Sequence, residues 1–278
     1  MEQFSVDINK CTGCGLCEKE CGIKKVISVN DGKAQYNDNS SDCIECLHCF
    51  KVCPNSAITY HGNSTVQATI YNPGDRISAL LMRRSCRAFK DKPLDRALLT
   101  TVINEANTAP WFDISFDERK FIVVDDAEKL GGVRSVVLGQ IEKVRNLFSI
   151  LVKIPFFPKR KKKEYRMIID LFEKILENNK VKDSLFHGAH ALVMVAGQKS
   201  KTVAKDNSLY AMSQFLIAAE EKHLGTCING FVSFFSKAVQ KYLGISNDYM
   251  IHGAAVVGYP VTHFTRHLVR NDSAIAWN

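Results

Sequence analysis

Two four-cysteine runs within the first sixty residues constrain this chain more than any other feature. The first run is "CTGCGLCEKEC" and the second is "CIECLHCFKVCP". Their eight cysteines are Cys11, Cys14, Cys17, Cys21, Cys43, Cys46, Cys49 and Cys53. Thiolates at such short and regular spacing are typical ligands of iron–sulfur clusters or of zinc. Zinc sites more often combine separate C-x2-C pairs, so the two complete runs favour iron–sulfur clusters and leave zinc, or a purely structural cluster, as the alternative.

Both runs have the C-x2-C-x2-C-x3-C spacing of bacterial ferredoxins, and residues 5–60 resemble a two-cluster ferredoxin. In that family the first three cysteines of a run bind one [4Fe–4S] cluster, and the fourth cysteine binds the other cluster. The resemblance implies a first ligand set made of Cys11, Cys14, Cys17 and Cys53. It implies a second ligand set made of Cys21, Cys43, Cys46 and Cys49.

Three glycines bear on this resemblance. Gly13 and Gly15 suit a tight loop in which backbone N–H groups point at sulfur. Gly22 stands where the family usually has proline, a departure that removes no ligand. A domain of about 60 residues has little apolar core of its own, so we expect the clusters to hold it together.

Charge is unevenly distributed along the 278 residues, whose formal net charge is +8. Residues 1–60 carry six Lys and Arg against eight Asp and Glu, whereas the remainder carries 31 against 21. An acidic N-terminal part followed by a basic remainder predicts two separate domains. No recognised nucleic-acid motif accompanies the basic excess, so we expect no nucleic-acid partner. The N-terminal "MEQFSVDINK" lacks the apolar segment of a secretory signal, and no stretch is long enough to span a bilayer, which favours a cytoplasmic protein.

The rest of the chain mixes helical and strand-like patterns. Residues 61–75 are polar and rich in turn formers, which predicts a linker. Apolar spacing then predicts a short helix from Ile77, a helix after Pro93 with Asp95 near its start, and a long helix over Asn207–Gly225. Strand-like runs cover Lys120–Asp126, Ala191–Gly197 and His252–Pro260. This mixture predicts an α+β or α/β domain of about 200 residues.

The segment "RRSCRAF" predicts an anion-binding site. Arg83, Arg84 and Arg87 carry guanidinium groups that match phosphate oxygens. Ser85 adds a hydroxyl donor between them. A solvated basic turn is the alternative that this segment alone leaves open.

Other motifs accompany this segment in a defined order. An amphipathic helix ending at "APW" follows it, "LGTCINGF" comes after the long helix, and "VVGYP" is followed by Arg266. Together these motifs resemble the nitroreductase family of FMN enzymes over residues 76–278. The resemblance implies an α+β flavin domain there, joined through the 61–75 linker to the ferredoxin-like domain at 1–60.

The resemblance also implies which residues bind FMN. The phosphate and ribityl end would lie against Arg83, Arg84, Ser85 and Arg87. Arg266 would close on the phosphate from the C-terminal segment. Asn229 and Gly230 would lie by flavin N5, where a hydrogen-bond donor stabilises the reduced flavin.

Two further expectations come from the family. Its members are homodimers with FMN at the dimer interface, so the resemblance implies a homodimer. Its polar motif after "AP" is replaced here by "WFDISFDERKF", in which Asp113 and Ser115 are the polar candidates for contacts with the flavin ring. A changed contact at this point would alter the flavin potential or the choice of substrate.

The segment 144–179 falls where the family varies most. It contains four phenylalanines and the basic run Lys159–Lys163. A helical hairpin packed at the dimer interface, with a solvated basic loop, is the interpretation we favour. An apolar lid over the substrate and a membrane-surface patch are the alternatives.

These features and the family resemblance predict an FMN-dependent oxidoreductase that passes electrons from two [4Fe–4S] clusters to FMN and on to a small organic acceptor. The resemblance implies nitroaromatic-type reduction, and a quinone, an activated alkene or free flavin are the other acceptors left open. Fusion keeps the one-electron carriers at high effective concentration beside a two-electron centre. Ferredoxin, flavodoxin or NAD(P)H would serve as donor, and low-potential clusters suit an anaerobe.

Two other functions compete with this one. An electron-transfer subunit that docks to a larger redox complex is the main alternative, and a DNA-binding sensor lacks a helix-turn-helix signal. No catalytic proton donor is singled out, because isolated histidines and the lone Cys86 and Cys227 are more often structural.

Overall fold

The computed structural model describes residues 4–21, 26–37, 43, 48–60, 76–110, 119–156, 158–264 and 277. The chain divides into two compact units. The first unit contains Met1–Ala88 and Pro260–Asn278, and the second contains Phe89–Tyr259.

Among its described residues, the first unit contains two small antiparallel strand pairs and three short helices. The strand pairs are β1 (Phe4–Val6) with β4 (Ile58–Tyr60), and β2 (Ile27–Asn30) with β3 (Lys33–Tyr36). The helices are α1 (Leu16–Cys21), α2 (His48–Val52) and α3 (Arg76–Met82). Asp31 and Gly32 connect β2 to β3 and both have positive φ, at 50° and 72°. A two-residue turn with this geometry matches the twist of the flanking strands.

The apolar core of the first unit is small and is built around cysteines. Ile27, Phe50, Val52 and Ile58 are buried together with Cys17. Five further cysteines pack against this core while partly buried: Cys11, Cys21, Cys43, Cys49 and Cys53. Cysteine sulfur therefore supplies much of the interior of a unit that has few large apolar side chains.

The second unit is organised around a four-stranded antiparallel sheet. Its strands are β5 (Arg119–Val124), β6 (Ala191–Gln198), β7 (Gly225–Ile228) and β8 (Tyr249–Gly258), in the order β5-β6-β8-β7. Its helices are α4 (Arg96–Ala106), α5 (Ala127–Leu151), α6 (Lys159–Val181), α7 (Ala204–Glu221), α8 (Gly230–Phe234) and α9 (Ser236–Leu243).

Both faces of this sheet are buried, and β6 shows why its sequence is continuously apolar. Leu192 and Met194 point into one core, where they meet residues of α5 such as Val137. Val193 and Val195 point into the other core, where they meet residues of α4 and α7. Because successive side chains of a strand face opposite ways, helices on both faces require apolar residues at every position.

The predicted α+β fold is confirmed. The three predicted strands correspond to β5, β6 and β8, and the helix predicted over Asn207–Gly225 is α7, which begins earlier and ends at Glu221. Asp95 is the N-cap of α4, and its Oδ1 accepts a hydrogen bond of 2.8 Å from the Ala97 N–H. The sequence patterns missed β7, which has only four residues, and the first two-thirds of α5.

The segment 144–179 forms a helical hairpin from the end of α5 and most of α6. Phe148 stacks on Tyr165 with a centroid distance of 4.0 Å, and Phe172 is buried. The basic run Lys159–Lys163 forms the first turns of α6 rather than a loop. Among the described residues, no helix has the combination of length and apolar character needed to cross a membrane.

Truncation of a core side chain of α5 tests this packing. Ile141 is fully buried, whereas Ile150 on the same helix is 63% exposed. Ile141→Ala should lower the free energy of unfolding by about 2–5 kcal/mol, because it leaves a cavity. Ile150→Ala should change it by less than about 0.5 kcal/mol. Urea denaturation followed by circular dichroism measures both, and equal losses would contradict the assigned burial.

Candidate functional site

Four cysteines surround one cavity in the first unit. The cavity encloses roughly 350 Å³ of empty space, part of it open to solvent, and its lining includes Cys11, Cys14, Cys17 and Cys53. These are the members of the first ligand set, and Cys53 comes from the other end of the domain.

The loop that carries the first ligand set depends on glycine. Gly13 and Gly15 both line the cavity and have φ of 68° and 73°, a region that other residues rarely adopt. A Cβ at Gly13 would also collide with the carbonyl of Gly32 in the β2–β3 turn. Glycine at residue 13 therefore allows the cysteine loop to lie directly against the hairpin.

Backbone N–H groups point at two sulfurs of this set. The Ala34 N–H donates to Cys11 Sγ, and the Ala57 N–H donates to Cys53 Sγ, both at 3.3 Å. The first of these hydrogen bonds lowers the pKa of the Cys11 thiol below its usual value. Burial raises the pKa of Cys17 to about 11, so cluster binding has to displace its proton. Four sulfurs around a cavity, with N–H donors aimed at them, fit the chemistry of a [4Fe–4S] cluster.

Three members of the second ligand set are described: Cys21, Cys43 and Cys49 are all partly buried against the same small core. Cys46 lies outside the described residues. The Tyr36 hydroxyl lies 3.1 Å from Cys49 Sγ. Burial raises the pKa of Tyr36 far above its usual value, so the hydroxyl keeps its proton and can donate a hydrogen bond to a Cys49 thiolate.

A buried polar chain lies next to the second ligand set. Glu20 and His48 are each 97% buried, and Glu20 Oε2 lies 3.7 Å from His48 Nδ1. Arg87 Nη1 donates to the same His48 nitrogen at 3.1 Å. The Thr262 hydroxyl donates to the carboxylate of Glu20. Glu20, His48 and Arg87 are called the buried triad below.

The pKa values within the buried triad identify its charged members. Burial lowers the pKa of His48 despite its contact with Glu20, so the imidazole is neutral and accepts from Arg87. Burial alone would raise the pKa of Glu20, but the nearby His48 ring, the hydrogen bond from the Thr262 hydroxyl and the charge of Arg87 hold that pKa below its usual value. The pair of opposite charges is therefore Glu20 and Arg87, with His48 between them.

The predicted anion-binding residues lie just after α3, in the first unit, and all four are half-buried. Arg87 belongs to the buried triad, and Arg84 Nη1 lies 3.4 Å from the carbonyl oxygen of Arg83. Within the part of the chain that the structure describes, the side chains of Arg83 and Ser85 make no hydrogen bond or ion pair. A half-buried guanidinium and a half-buried hydroxyl that make no such contact with the described residues fit an anionic ligand such as a phosphate group.

Asn229 and Gly230 lie in the second unit, at the start of α8. Asn229 caps this helix by accepting from the Val232 N–H at 3.1 Å, and its amide donates to the Leu185 carbonyl at 2.9 Å. The backbone N–H of Asn229 donates to Ala254 at 2.8 Å. Gly230 is exposed, with open space where a Cβ would be. Of the two, Gly230 is better placed to offer its N–H to a ligand.

Three predicted contacts lie outside the described residues: Arg266, Asp113 and Ser115. Conversely, sequence analysis did not identify Tyr36, Glu20 or His48 as site residues. Glu20 and His48 each directly precede a predicted ligand cysteine, which is a signal in the sequence. Tyr36 gave no such signal, because only the β2–β3 hairpin brings it to Cys49.

Removal of the Tyr36 hydroxyl tests the contact with Cys49. A hydrogen bond to a ligand sulfur favours the more negative, reduced cluster, so Tyr36→Phe should lower one cluster potential by on the order of tens of millivolts. Ser28→Ala is the control. The Ser28 hydroxyl lies on the neighbouring strand and donates to Asn37, so its removal should leave the cluster potential unchanged. Redox titration followed by electron paramagnetic resonance measures both variants, and an unchanged potential in Tyr36→Phe would contradict the contact.

Comparison with known proteins assigns both parts of the chain. Residues 80–259 match the model of the nitroreductase family, and residues 10–58 match a 4Fe–4S dicluster domain. The first matched residues of the nitroreductase model, 80–88, belong to the first compact unit. An uncharacterized protein of Methanocaldococcus jannaschii is 33% identical over 58 residues, which is 21% of this chain and 21% of that protein.

Solved structures share the fold at low sequence identity. A nitroreductase with bound FMN from Desulfitobacterium hafniense is 17% identical, with a TM-score of 0.54 over 75% of this chain and 100% of that one. An FMN- and NADPH-dependent nitroreductase from Sphigopyxis sp. is 18% identical, with a TM-score of 0.52 over 73% of this chain and 99% of that one. With the family match over residues 80–259, the chain belongs to the nitroreductase family of oxidoreductases and carries an N-terminal 4Fe–4S dicluster domain.

Proposed function

We propose that this protein is an FMN-dependent oxidoreductase that passes electrons from two [4Fe–4S] clusters to FMN and on to a small organic acceptor, with nitroaromatic-type reduction as its reaction. The observation that carries the proposal is the cavity lined by Cys11, Cys14, Cys17 and Cys53, which lies in the same chain as a nitroreductase domain. The fold shared with a nitroreductase that binds FMN supports the flavin.

Each cofactor has its proposed residues. One cluster takes the first ligand set and the other takes the second. FMN takes Arg83, Arg84, Ser85, Arg87, Asn229, Gly230 and Arg266. When bound, the flavin supplies the exchange between single electrons and electron pairs that an organic acceptor needs.

The protein groups divide the work at the flavin. The side chains of Arg83 and Ser85 supply the donors for the phosphate, and Gly230 offers its N–H to the ring. Arg87 holds the phosphate segment in place through His48. These roles assume the proposed domains, which are the ferredoxin domain at 1–60, the linker at 61–75 and the flavin domain at 76–278.

The proposed partners follow from the same assignment. We propose a cytoplasmic homodimer in an anaerobe that takes electrons from ferredoxin, flavodoxin or NAD(P)H. The NADPH dependence of a nitroreductase with the same fold supports the last donor. An electron-transfer subunit of a larger redox complex is the competing function, and steady turnover of a nitroaromatic compound by the purified protein with reduced ferredoxin would exclude it.

The cofactor content of the anaerobically purified protein is the first test. We expect about eight irons, about eight sulfides and one FMN per chain, because each ligand set holds a four-iron cluster and each chain carries one flavin domain. Elemental analysis and flavin released by heat measure these contents. Zinc in place of iron would contradict the cluster assignment, and iron without flavin would contradict the FMN assignment.

Arg83→Ala tests the phosphate site. Loss of a charge-assisted hydrogen bond costs about 1.5–3 kcal/mol, so FMN affinity should fall about ten- to a hundredfold while the cluster absorbance stays intact. Arg145→Ala is the matched control, because Arg145 lies on α5 and pairs with Glu142. Fluorescence titration of the flavin-free protein measures both. Unchanged affinity in Arg83→Ala would show that the phosphate assignment is wrong.

A further inference from the structure

The two ligand sets have different surroundings within the first unit. Around the first set, Cys14 is exposed, and so are Thr12, Pro54 and Asn55 on the rim of the cavity. No described residue that lines this cavity comes from 76–88 or 260–264. Among the described residues, the first ligand set therefore opens to solvent at Cys14, and its cavity is not lined by the segment that carries Arg83, Arg84, Ser85 and Arg87.

The segment that carries Arg87 instead contacts residues that adjoin members of the second ligand set in the sequence. Glu20 immediately precedes the ligand Cys21, and His48 immediately precedes the ligand Cys49. Both are joined to Arg87 through the buried triad, with Arg87 Nη1 only 3.1 Å from His48 Nδ1. Consecutive Cα atoms are about 3.8 Å apart, so Arg87 contacts a residue adjacent to a cluster ligand.

Other buried contacts hold the same two parts together. The fully buried ammonium of Lys51, on α2, donates to the Met82 carbonyl at 3.3 Å. The ring of Phe264 lies 5.2 Å from that ammonium and 5.2 Å from the His48 ring. Buried charges of this kind are costly to separate, because removal of one partner strands the other in the interior. The segment 82–88 is therefore fixed on the helix that carries Cys49.

We propose that the buried triad places the phosphate-binding segment against the second ligand set, so that this cluster is the one beside the flavin and the first cluster is the entry point for external electrons. The inference rests on the proposed function. With the cofactors bound, the first ligand set would hold the cluster that an external one-electron donor reaches, and the second ligand set would hold the cluster nearer the flavin. Two such electrons and two protons from solvent balance each two-electron reduction of the acceptor.

Phosphorus NMR of the bound FMN tests this order without any assay of turnover. A reduced [4Fe–4S] cluster is paramagnetic and broadens nearby resonances, and the effect falls steeply with distance. In the wild-type protein, reduction with dithionite should broaden the FMN phosphate signal. Cys14→Ser, which removes a first-set ligand, should leave that broadening unchanged. Cys43→Ser, which removes a second-set ligand, should narrow the signal to nearly the linewidth of the oxidised protein.

The outcomes separate the two proposals. Without a bound FMN phosphate signal in the wild-type protein, the proposed function fails. With the signal present, loss of broadening in Cys14→Ser instead of Cys43→Ser, or no broadening on reduction at all, overturns the order of the clusters while leaving the FMN site intact. If Cys43→Ser does not fold, Cys21→Ser removes another ligand of the same set, and Cys11→Ser is its matched partner in the first set.

A weakened triad gives a second, independent readout. Arg87→Gln removes the charge that faces Glu20 and should reduce the broadening in the reduced protein. Arg87→Lys keeps the positive charge and should restore part of the broadening. The iron content of both variants should equal that of the wild-type protein, and a linewidth in Arg87→Gln identical to wild type would show that the triad does not position the segment.

Discussion

The requirement to gather cysteine sulfur around a very small core dominates the first unit. The eight cysteines lie within the first sixty residues, a length that buries little apolar surface by itself, and here six cysteines form part of the interior. Cluster binding in such a domain contributes directly to folding, because the sulfurs come from distant parts of the chain. Cys53 reaches the cavity of Cys11 only if β4 returns beside β1, so ligand pairing and strand pairing specify each other.

This arrangement has consequences beyond the ligands. The helices that carry Cys21 and Cys49 also present Glu20 and His48 to the interior, where a neutral imidazole lies between a carboxylate and a guanidinium. Arg87 belongs by sequence to the segment that resembles a phosphate site, yet its side chain is directed at the iron–sulfur helices. Arg87 therefore joins the helices that carry Cys21 and Cys49 to the segment that is expected to bind a flavin phosphate.

The second unit follows a different physical rule. Its sheet is covered by helices on both faces, and alternate residues of β6 and β8 supply two separate apolar cores. Apolar packing on both faces of the sheet holds this scaffold together. Asn229 uses its side chain to cap α8 and to hold the Leu185 loop, which leaves Gly230 exposed at the start of that helix. Rigid support beneath an open backbone position is what a flavin contact requires.

Patterns local in sequence were predictable, and arrangements that depend on distant contacts were not. Cysteine spacing indicated the N-terminal 4Fe–4S domain, apolar periodicity indicated three of the four strands in the main sheet, and Asp95 indicated the start of α4, because each signal lies within a few residues. The tertiary structure alone decided that Tyr36 reaches Cys49 and that Arg87 pairs with His48, 39 residues away. The sequence determines which residues can bind metal and phosphate, but folding decides which of them share one buried environment, because burial and charge pairing act between segments that are far apart along the chain.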